Sequence, residues 1–417
     1  MEVGRPPPDA ARLPNRWNEL CRIDLTPHHS PSLWKLKNAE SLLDFVLPRL
    51  QLQLAVIFLV TQSLYLLFKR FNFSRIVSEI LAGVILGPTI LGAIFPNFTK
   101  TLFPAEGDIY LELLAKIGFM FFMFLIGVKM DPCLIVKSGK KAWFIGASAT
   151  FIPTIIALGI SPLIDLVGFN EIPAVKSVIA IQTLTPFPVI ACLLIDLEIM
   201  NSELGRLALA SALVRELLGT AVSTGFTLLK VIVQVSPGMG GQTLFLCLAL
   251  VLAIVFLGHP VFLWIISQTQ EGKPVKGVYI AFILFAVLLS AIISENLGLL
   301  YHFGPFILGL TVPDGPPLGS TLVERLDTFI YGLFAPVLLT FCGMKSNLLV
   351  VYNLKFMGTL WIVILASALV KFTANLFPAL LCKLPVKDAF TLALIMSTQG
   401  IVELARFLTQ WENMHRH

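Results

Sequence analysis

Leu86-Gly87-Pro88-Thr89-Ile90-Leu91-Gly92 returns much later in the chain as Phe303-Gly304-Pro305-Phe306-Ile307-Leu308-Gly309, at a spacing of 217 residues. Gly127-Val128-Lys129-Met130-Asp131 is echoed by Gly343-Met344-Lys345-Ser346-Asn347 at a spacing of 216, and Thr183-Leu184-Thr185-Pro186 by Ser397-Thr398-Gln399-Gly400 at 214. Each match alone is short, because Gly-Pro pairs and small-residue clusters are common in apolar helices. Three in order at nearly one spacing mark an internal repeat across most of a 417-residue chain.

The background to the repeat is strongly apolar. Of all residues 56% are hydrophobic and 13% charged, and the mean hydropathy is +0.85. A soluble domain carries about 45–50% apolar and about 25% charged residues. So little charge cannot cover a water-soluble fold of this length, which excludes a cytosolic enzyme, a nucleic-acid binder and a disordered regulator. The net charge of +5 argues for no polyanionic partner, and 32 Phe against 6 Tyr and 6 Trp suits lipid-facing helices. The six cysteines lie apart, without Cys-x-x-Cys or a neighbouring His, so packed thiols are expected and no cofactor or resident metal. The fold expected is an all-α polytopic membrane protein.

Residues 1–49 form a Pro-rich, charged segment without a signal-peptide pattern, expected as a mobile tail; 50–408 hold the membrane domain, and 409–417 a short polar tail. A span needs about 20 apolar residues. On that measure about twelve segments qualify: 50–68, 76–95, 109–128, 141–165, 174–195, 204–234, 243–267, 276–296, 301–313, 324–344, 356–382 and 387–408. Lys and Arg concentrate in the odd-numbered loops, as in Lys69, Arg70 and Arg75, or Lys137, Lys140 and Lys141. Those loops should face the cytoplasm, which puts the N-terminus on the lumenal or extracellular side.

The two copies begin in the second and ninth expected spans. An odd difference means that the second copy enters the bilayer from the opposite side. Inverted repeats with helices broken near the midplane are the architecture of many secondary transporters, so the pattern favours a carrier over a receptor or a channel. The same spacing applied to the sixth span points beyond His417, so the second copy is expected to lack its last helix.

Candidate ion-handling residues follow from helix breaks and mid-membrane charges. Pro186 and Pro188 remove N–H donors inside an apolar run that also holds Thr183 and Thr185. Irregular backbone is tolerated in a membrane only where it is buried or faces water. The repeat mates Ser397, Thr398, Gln399 and Gly400, with Glu403 just after, suggest a second break. Facing breaks would offer backbone and hydroxyl oxygens to an ion. Arg215 and Glu216 are the only ionisable residues between Leu207 and Leu229, and Lys371 is the only one between Phe356 and Cys382. A charge at mid-membrane costs at least ~2.5–3.5 kcal/mol on insertion scales and is usually paired or functional. Glu216 could bind a proton or, transiently, a monovalent cation, with Lys371 as its competitor; a purely structural Glu–Lys or Glu–Arg bridge is the alternative. Glu79 and Glu295 read as scaffold or interfacial residues, and His259-Pro260 as a kink.

These residues sit in segments that resemble the plant cation/H⁺ exchangers, a branch of the monovalent cation:proton antiporter-2 group. The resemblance runs from Arg49 to Leu404 and is carried by Val77-Ser78-Glu79-Ile80-Leu81-Ala82-Gly83-Val84-Ile85-Leu86-Gly87-Pro88, by Asn201-Ser202-Glu203-Leu204-Gly205-Arg206-Leu207-Ala208 and by Gly304 to Leu310. Val312-Pro313-Asp314-Gly315-Pro316-Pro317-Leu318-Gly319 is its most specific part. The resemblance implies a thirteen-helix antiporter fold, of which about twelve are expected here, divided into a dimerising scaffold (spans 1–3 and 8–10) and a moving core (spans 4–6 and 11–12). It also implies exchange of K⁺ or a similar cation for H⁺ in an endomembrane or the plasma membrane, by a homodimer or a heterodimer with related exchangers.

The family's ion-binding Asp, usually preceded by a small polar residue, corresponds to Glu216 preceded by Arg215, and its core lysine to Lys371. Three departures stand out: the cation at Arg215, Gln399 where the family has Lys or Arg, and the absence of resemblance after Leu404. Two functional readings follow. The first is a monovalent cation:proton antiporter contributing to cation and pH homeostasis. The second is a transport-inactive, shortened relative that partners full-length exchangers.

Overall fold

The computed structural model describes residues 45–71, 75–103, 109–129, 133–166, 202–234, 237–269, 275–297, 301–313, 315–345 and 354–398, with isolated positions at 43, 190, 193, 194, 199 and 299. In chain order the helices are α1 (Val46–Lys69), α2 (Arg75–Leu86), α3 (Leu91–Ile94), α4 (Pro96–Leu102), α5 (Ile109–Lys129), α6 (Cys133–Leu166), α7 (Glu203–Gln234) and α8 (Pro237–Ala253). They continue as α9 (His259–Ser267), α10 (Gly277–Asn296), α11 (Phe303–Leu310), α12 (Leu318–Phe329), α13 (Ala335–Met344), α14 (Leu354–Leu381) and α15 (Val386–Ser397). Among the described residues, eight helical segments are long and apolar enough to cross a membrane, at 20 to 27 residues each. At 1.5 Å per residue they reach about 30–40 Å, enough for a hydrocarbon core of about 30 Å.

Two of these segments cross through π-helical turns. Ile254–Gly258 joins α8 to α9, and Ile330–Phe334 joins α12 to α13. Each turn lies just upstream of a proline, Pro260 or Pro336. Proline has no N–H for the usual i−4 bond and its ring crowds that carbonyl. An extra residue in the turn relieves the clash; Ala335 N–H, for example, reaches back to the Ile330 carbonyl. His259-Pro260 is therefore a local helix distortion, and the His259 Nδ1 lies 3.2 Å from the Thr311 carbonyl at the end of α11. In α6 the interruption is a glycine: Gly139, at φ 66, separates the two helical stretches. That backbone region is readily open only to a residue without Cβ.

The segment expected to span at 301–313 is a shorter element. α11 has 8 residues, about 12 Å of helix. Its end tightens into i→i+3 bonds, Thr311 N–H to the Leu308 carbonyl and Val312 N–H to the Gly309 carbonyl. The Thr311 hydroxyl also donates to the Leu308 carbonyl at 2.7 Å, and Pro313 follows. Apolar content alone could not distinguish this half-length helix from a full one. The expected spans at 324–344 and 356–382 are observed as 318–344 and 361–381.

The repeat is visible as two helix crossings that copy each other. At the α2–α13 crossing, a Cβ added to Gly83 would lie 2.7 Å from the Gly343 Cα, and one added to Gly343 would lie 2.9 Å from the Gly83 Cα. At the α5–α11 crossing the corresponding distances are 2.9 Å from Gly127 to the Gly309 Cα and 3.0 Å from Gly309 to the Gly127 Cα. In every case the nearest obstacle is the carbonyl oxygen three residues before the partner glycine: Thr340, Ile80, Phe306 and Phe124. Small residues let helix backbones meet closely in membranes, and Cα–H···O contacts become possible at that range. Each crossing joins one helix from each copy, so the two copies are intertwined.

The crossings also correct the repeat register. Gly127 answers Gly343, as the sequence match has it, but Gly83 answers Gly309, whereas the Gly-Pro motifs align Gly87 with Gly304. The motif ends α2 in the first copy and opens α11 in the second. The first copy has extra residues between its two glycines, and these form the short helices α3 and α4.

The helices fall into two groups by their principal neighbours. In one, α2 packs on α1 and α13, while α5 packs on α11, α12 and α13, and α10 on α11. In the other, α6 packs on α7 and α14, and α15 packs on α14 and α7. The α8–α9 segment bridges them, touching α7 on one side and α11 and α12 on the other.

Candidate functional site

The group α6, α7, α14 and α15 carries the mid-membrane charges. α7 starts at Ser202, whose hydroxyl oxygen accepts the Gly205 N–H at 2.9 Å, a side-chain N-cap followed by the acidic Glu203. Two to three helical turns later Ala208, Ala210, Ser211 and Ala212 are all buried. These small residues admit α6: a Cβ on Gly146 would come within 2.6 Å of the Ser211 carbonyl. Thr150 on α6 completes the contact, its hydroxyl 3.0 Å from the Gly146 carbonyl and 3.4 Å from the Arg215 carbonyl. The backbone beneath Arg215 and Glu216 is thus held close against a neighbouring helix.

Arg215, Glu216 and Lys371 are 2%, 4% and 1% exposed. The Arg215 side chain leaves its own helix and donates from Nη1 to the Met396 carbonyl at 2.8 Å. Met396 is in the last turn of α15, which ends when Thr398 turns extended, at ψ 144. The final carbonyls of a helix lack intrahelical partners and carry partial negative charge. Here the Ser397 hydroxyl donates to the Ala393 carbonyl at 2.6 Å and the Thr398 hydroxyl to the Ile395 carbonyl at 2.7 Å. The donors of both side chains are therefore turned inward on α15, while their oxygen lone pairs remain able to accept.

Lys371 lies in the middle of α14. One turn on, the Asn375 amide donates from Nδ2 to the Lys371 carbonyl at 2.7 Å. Asn375 is completely buried, and among the described residues its Oδ1 has no hydrogen-bond partner. The Ser211 hydroxyl, on the face of α7 that carries Arg215, also has none among them. Asn375 is not among the residues that the sequence singles out. Its i+4 spacing from the sole charge of the span is the signal that could have found it. No group of three His, Cys, Asp or Glu that could hold a metal occurs among the described residues. Neutral oxygens are the ligand type at hand beyond single carboxylates.

The other sequence candidates fare differently. Thr183, Thr185, Pro186, Pro188, Gln399, Gly400 and Glu403 lie outside the described residues. Glu79 is buried on α2 and accepts Arg75 Nε at 2.8 Å. Its backbone carbonyl takes the Thr340 hydroxyl at 3.3 Å, beside the α2–α13 crossing. Glu295 is exposed near the end of α10.

Comparison with known proteins fits this arrangement. Residues 55–409 match the family described as sodium/hydrogen exchanger, transmembrane. Cation/H(+) antiporter 15 of Arabidopsis thaliana is 32% identical over 373 residues, which are 87% of this chain and 44% of that protein. Cation/H(+) antiporter 9 of the same plant is 31% identical over 89% of this chain and 48% of its own length. Cation/H(+) symporter 13 is 30% identical over 87% of this chain and 44% of its own length. The chain therefore spans less than half the length of these curated relatives. The solved structure of a sodium proton antiporter from Methanocaldococcus jannaschii overlays with a TM-score of 0.57 at 18% identity, covering 86% of this chain and 85% of that one. That overlay supports the inverted-repeat antiporter fold with its scaffold and core helix groups. With a family match over most of its length, this multi-pass membrane chain belongs to the sodium/hydrogen exchanger family.

Proposed function

We propose that the chain exchanges a monovalent cation, K⁺ on the strength of the plant-exchanger resemblance, for H⁺ across an endomembrane or the plasma membrane. The observation that carries this reading is Glu216, a carboxylate 4% exposed in the middle of α7, in the helix group that also contains the end of α15. A buried carboxylate can be neutralised by a proton or by a cation, and is costly to leave bare. Alternate occupancy by the two is the elementary step of exchange when the site opens to each side in turn. Lys371 acts as the internal competitor. Asn375, Ser397 and Thr398 supply oxygens, and the breaks at Thr183, Thr185, Pro186 and Pro188 and at Gln399 and Gly400 supply more, with Glu403 shaping the second. The functional unit is a homodimer or a heterodimer with a longer relative, and the N-terminus is lumenal or extracellular.

The test is reconstitution of the 417-residue chain in vesicles with an acidic interior and a pH-sensitive dye. Addition of K⁺ outside is expected to drive protons out, and Glu216→Gln is expected to abolish the response. Proton flow in the same direction as K⁺ would instead indicate symport. Unchanged flux in Glu216→Gln would remove that residue from the site. A transport-silent partner of longer exchangers is the second reading, and the position of Arg215 at the end of α15 is what favours it.

A further inference from the structure

We propose that Arg215 is a resident cation, a side chain occupying the carbonyl end of α15 that a transported ion would otherwise approach. The proposal rests on the exchange reading above and deepens it. Arg215 is 2% exposed, and its Nη1 crosses from α7 to the Met396 carbonyl at 2.8 Å, between residues 181 positions apart. A helix C-terminus attracts positive charge, and here the charge that reaches it belongs to the protein. The neighbouring Ala393 and Ile395 carbonyls already receive the Ser397 and Thr398 hydroxyls. The Met396 carbonyl of that turn receives the guanidinium from α7.

Two properties make this occupant hard to clear. Guanidinium groups keep their charge at physiological pH, so no proton loss releases the carbonyl; an ammonium such as that of a lysine can lose its proton when buried. The backbone that bears Arg215 is also held in place, with the Gly146–Ser211 approach on one side and Thr150 at the Arg215 carbonyl. An incoming cation that approaches the end of α15 therefore meets a fixed like charge, borne by the residue that precedes Glu216 in α7. Displacing it demands a higher ion concentration than an uncharged residue at position 215 would.

The experiment titrates K⁺, and separately Na⁺, against dye-reported proton flux in vesicles holding the wild-type chain, Arg215→Gln or Arg215→Lys. The expected result is a half-maximal K⁺ concentration at least tenfold lower in Arg215→Gln, or flux that appears only in that variant. Free guanidinium ion at low millimolar concentration should then inhibit Arg215→Gln competitively with K⁺ and leave wild type unchanged. Flux in Arg215→Gln with a half-maximal concentration at or above that of wild type overturns the inference while the exchange reading stands. If neither protein moves protons, the exchange reading fails and melting temperature decides: a K⁺-dependent rise confined to Arg215→Gln upholds the resident cation, and no rise in either overturns it. If Arg215→Gln does not fold, Arg215→Lys decides. Its shorter side chain should lower the half-maximal K⁺ concentration at least threefold, and an unchanged value overturns the inference.

Discussion

Asn375 shows how a single amide can be judged by what it leaves unmade. Its Nδ2 is engaged one turn back on the Lys371 carbonyl, while its Oδ1 is buried without a hydrogen-bond partner among the described residues. An unsatisfied buried acceptor costs about 1–3 kcal/mol, so a residue kept there for stability alone would be better replaced by Leu, an apolar side chain of similar length. Asn375→Leu is accordingly expected to melt at or above the wild-type temperature. If Oδ1 serves the ion, the same variant needs several-fold more K⁺ for half-maximal flux. Thermal melting together with the flux titration separates the two effects; a lower melting temperature with unchanged half-maximal K⁺ would make Asn375 purely structural. The charges themselves were legible in the sequence, since Arg215, Glu216 and Lys371 interrupt long apolar runs. The partner of Arg215 was not, because a backbone carbonyl 181 residues away leaves no mark on side-chain spacing.

At the scale of elements, the glycines separate close approach from mere abundance. A Cβ on Gly127 would sit 2.6 Å from the Phe306 carbonyl and 2.9 Å from the Gly309 Cα, whereas one on Gly225 of α7 would meet nothing within 4 Å. Backbone cannot give way as a flexible side chain can, so Gly127→Ala must push α5 and α11 away from each other. Overpacking of that kind costs about 1–3 kcal/mol. Gly127→Ala is expected to lower the melting temperature of the detergent-solubilised protein by several degrees, while Gly225→Ala should equal or exceed wild type because Ala favours helix. Equal melting of the two variants would show that the crossing tolerates separation. The sequence signalled that Gly127 and Gly343 correspond, but not that each is needed by a helix of the other copy. Its Gly-Pro alignment was offset because the motif closes one helix and opens another. Period and composition measure how apolar a stretch is; they are silent on where a helix is cut, as at Thr311 or Gly139.

At the scale of the whole molecule, one ion pair shows how little a link between helices can owe to charge. In the group that contains α1, α2, α5, α10, α11, α12 and α13, Lys129 of α5 pairs with Asp327 of α12 and lies 5.1 Å from the Tyr331 ring centroid, with side chains 28% and 43% exposed for the ion pair. Exposed pairs contribute about 0–1 kcal/mol. A double-mutant cycle with Lys129→Met and Asp327→Asn should return a coupling below about 1 kcal/mol, well under the cost of Gly127→Ala; a larger coupling would make the pair a principal link. Membrane class was readable from composition, a sum over many residues, and the repeat from three short motifs; the division into two helix groups came only with the family resemblance. The length of the element at 301–313 was less readable, since a half-length helix looks as apolar as a full one.

The intertwined crossings also govern how the chain can be made. Glu79 of α2 and Thr340 of α13 are 261 residues apart yet share a hydrogen bond beside the Gly83–Gly343 contact. At about 5–20 residues per second on the ribosome, α2 waits about 13–50 s for its partner to be synthesised. During that interval its glycine face has only lipid or the insertion machinery to meet, so the first copy cannot finish folding as it is inserted. Biogenesis must therefore proceed by late, long-range closure.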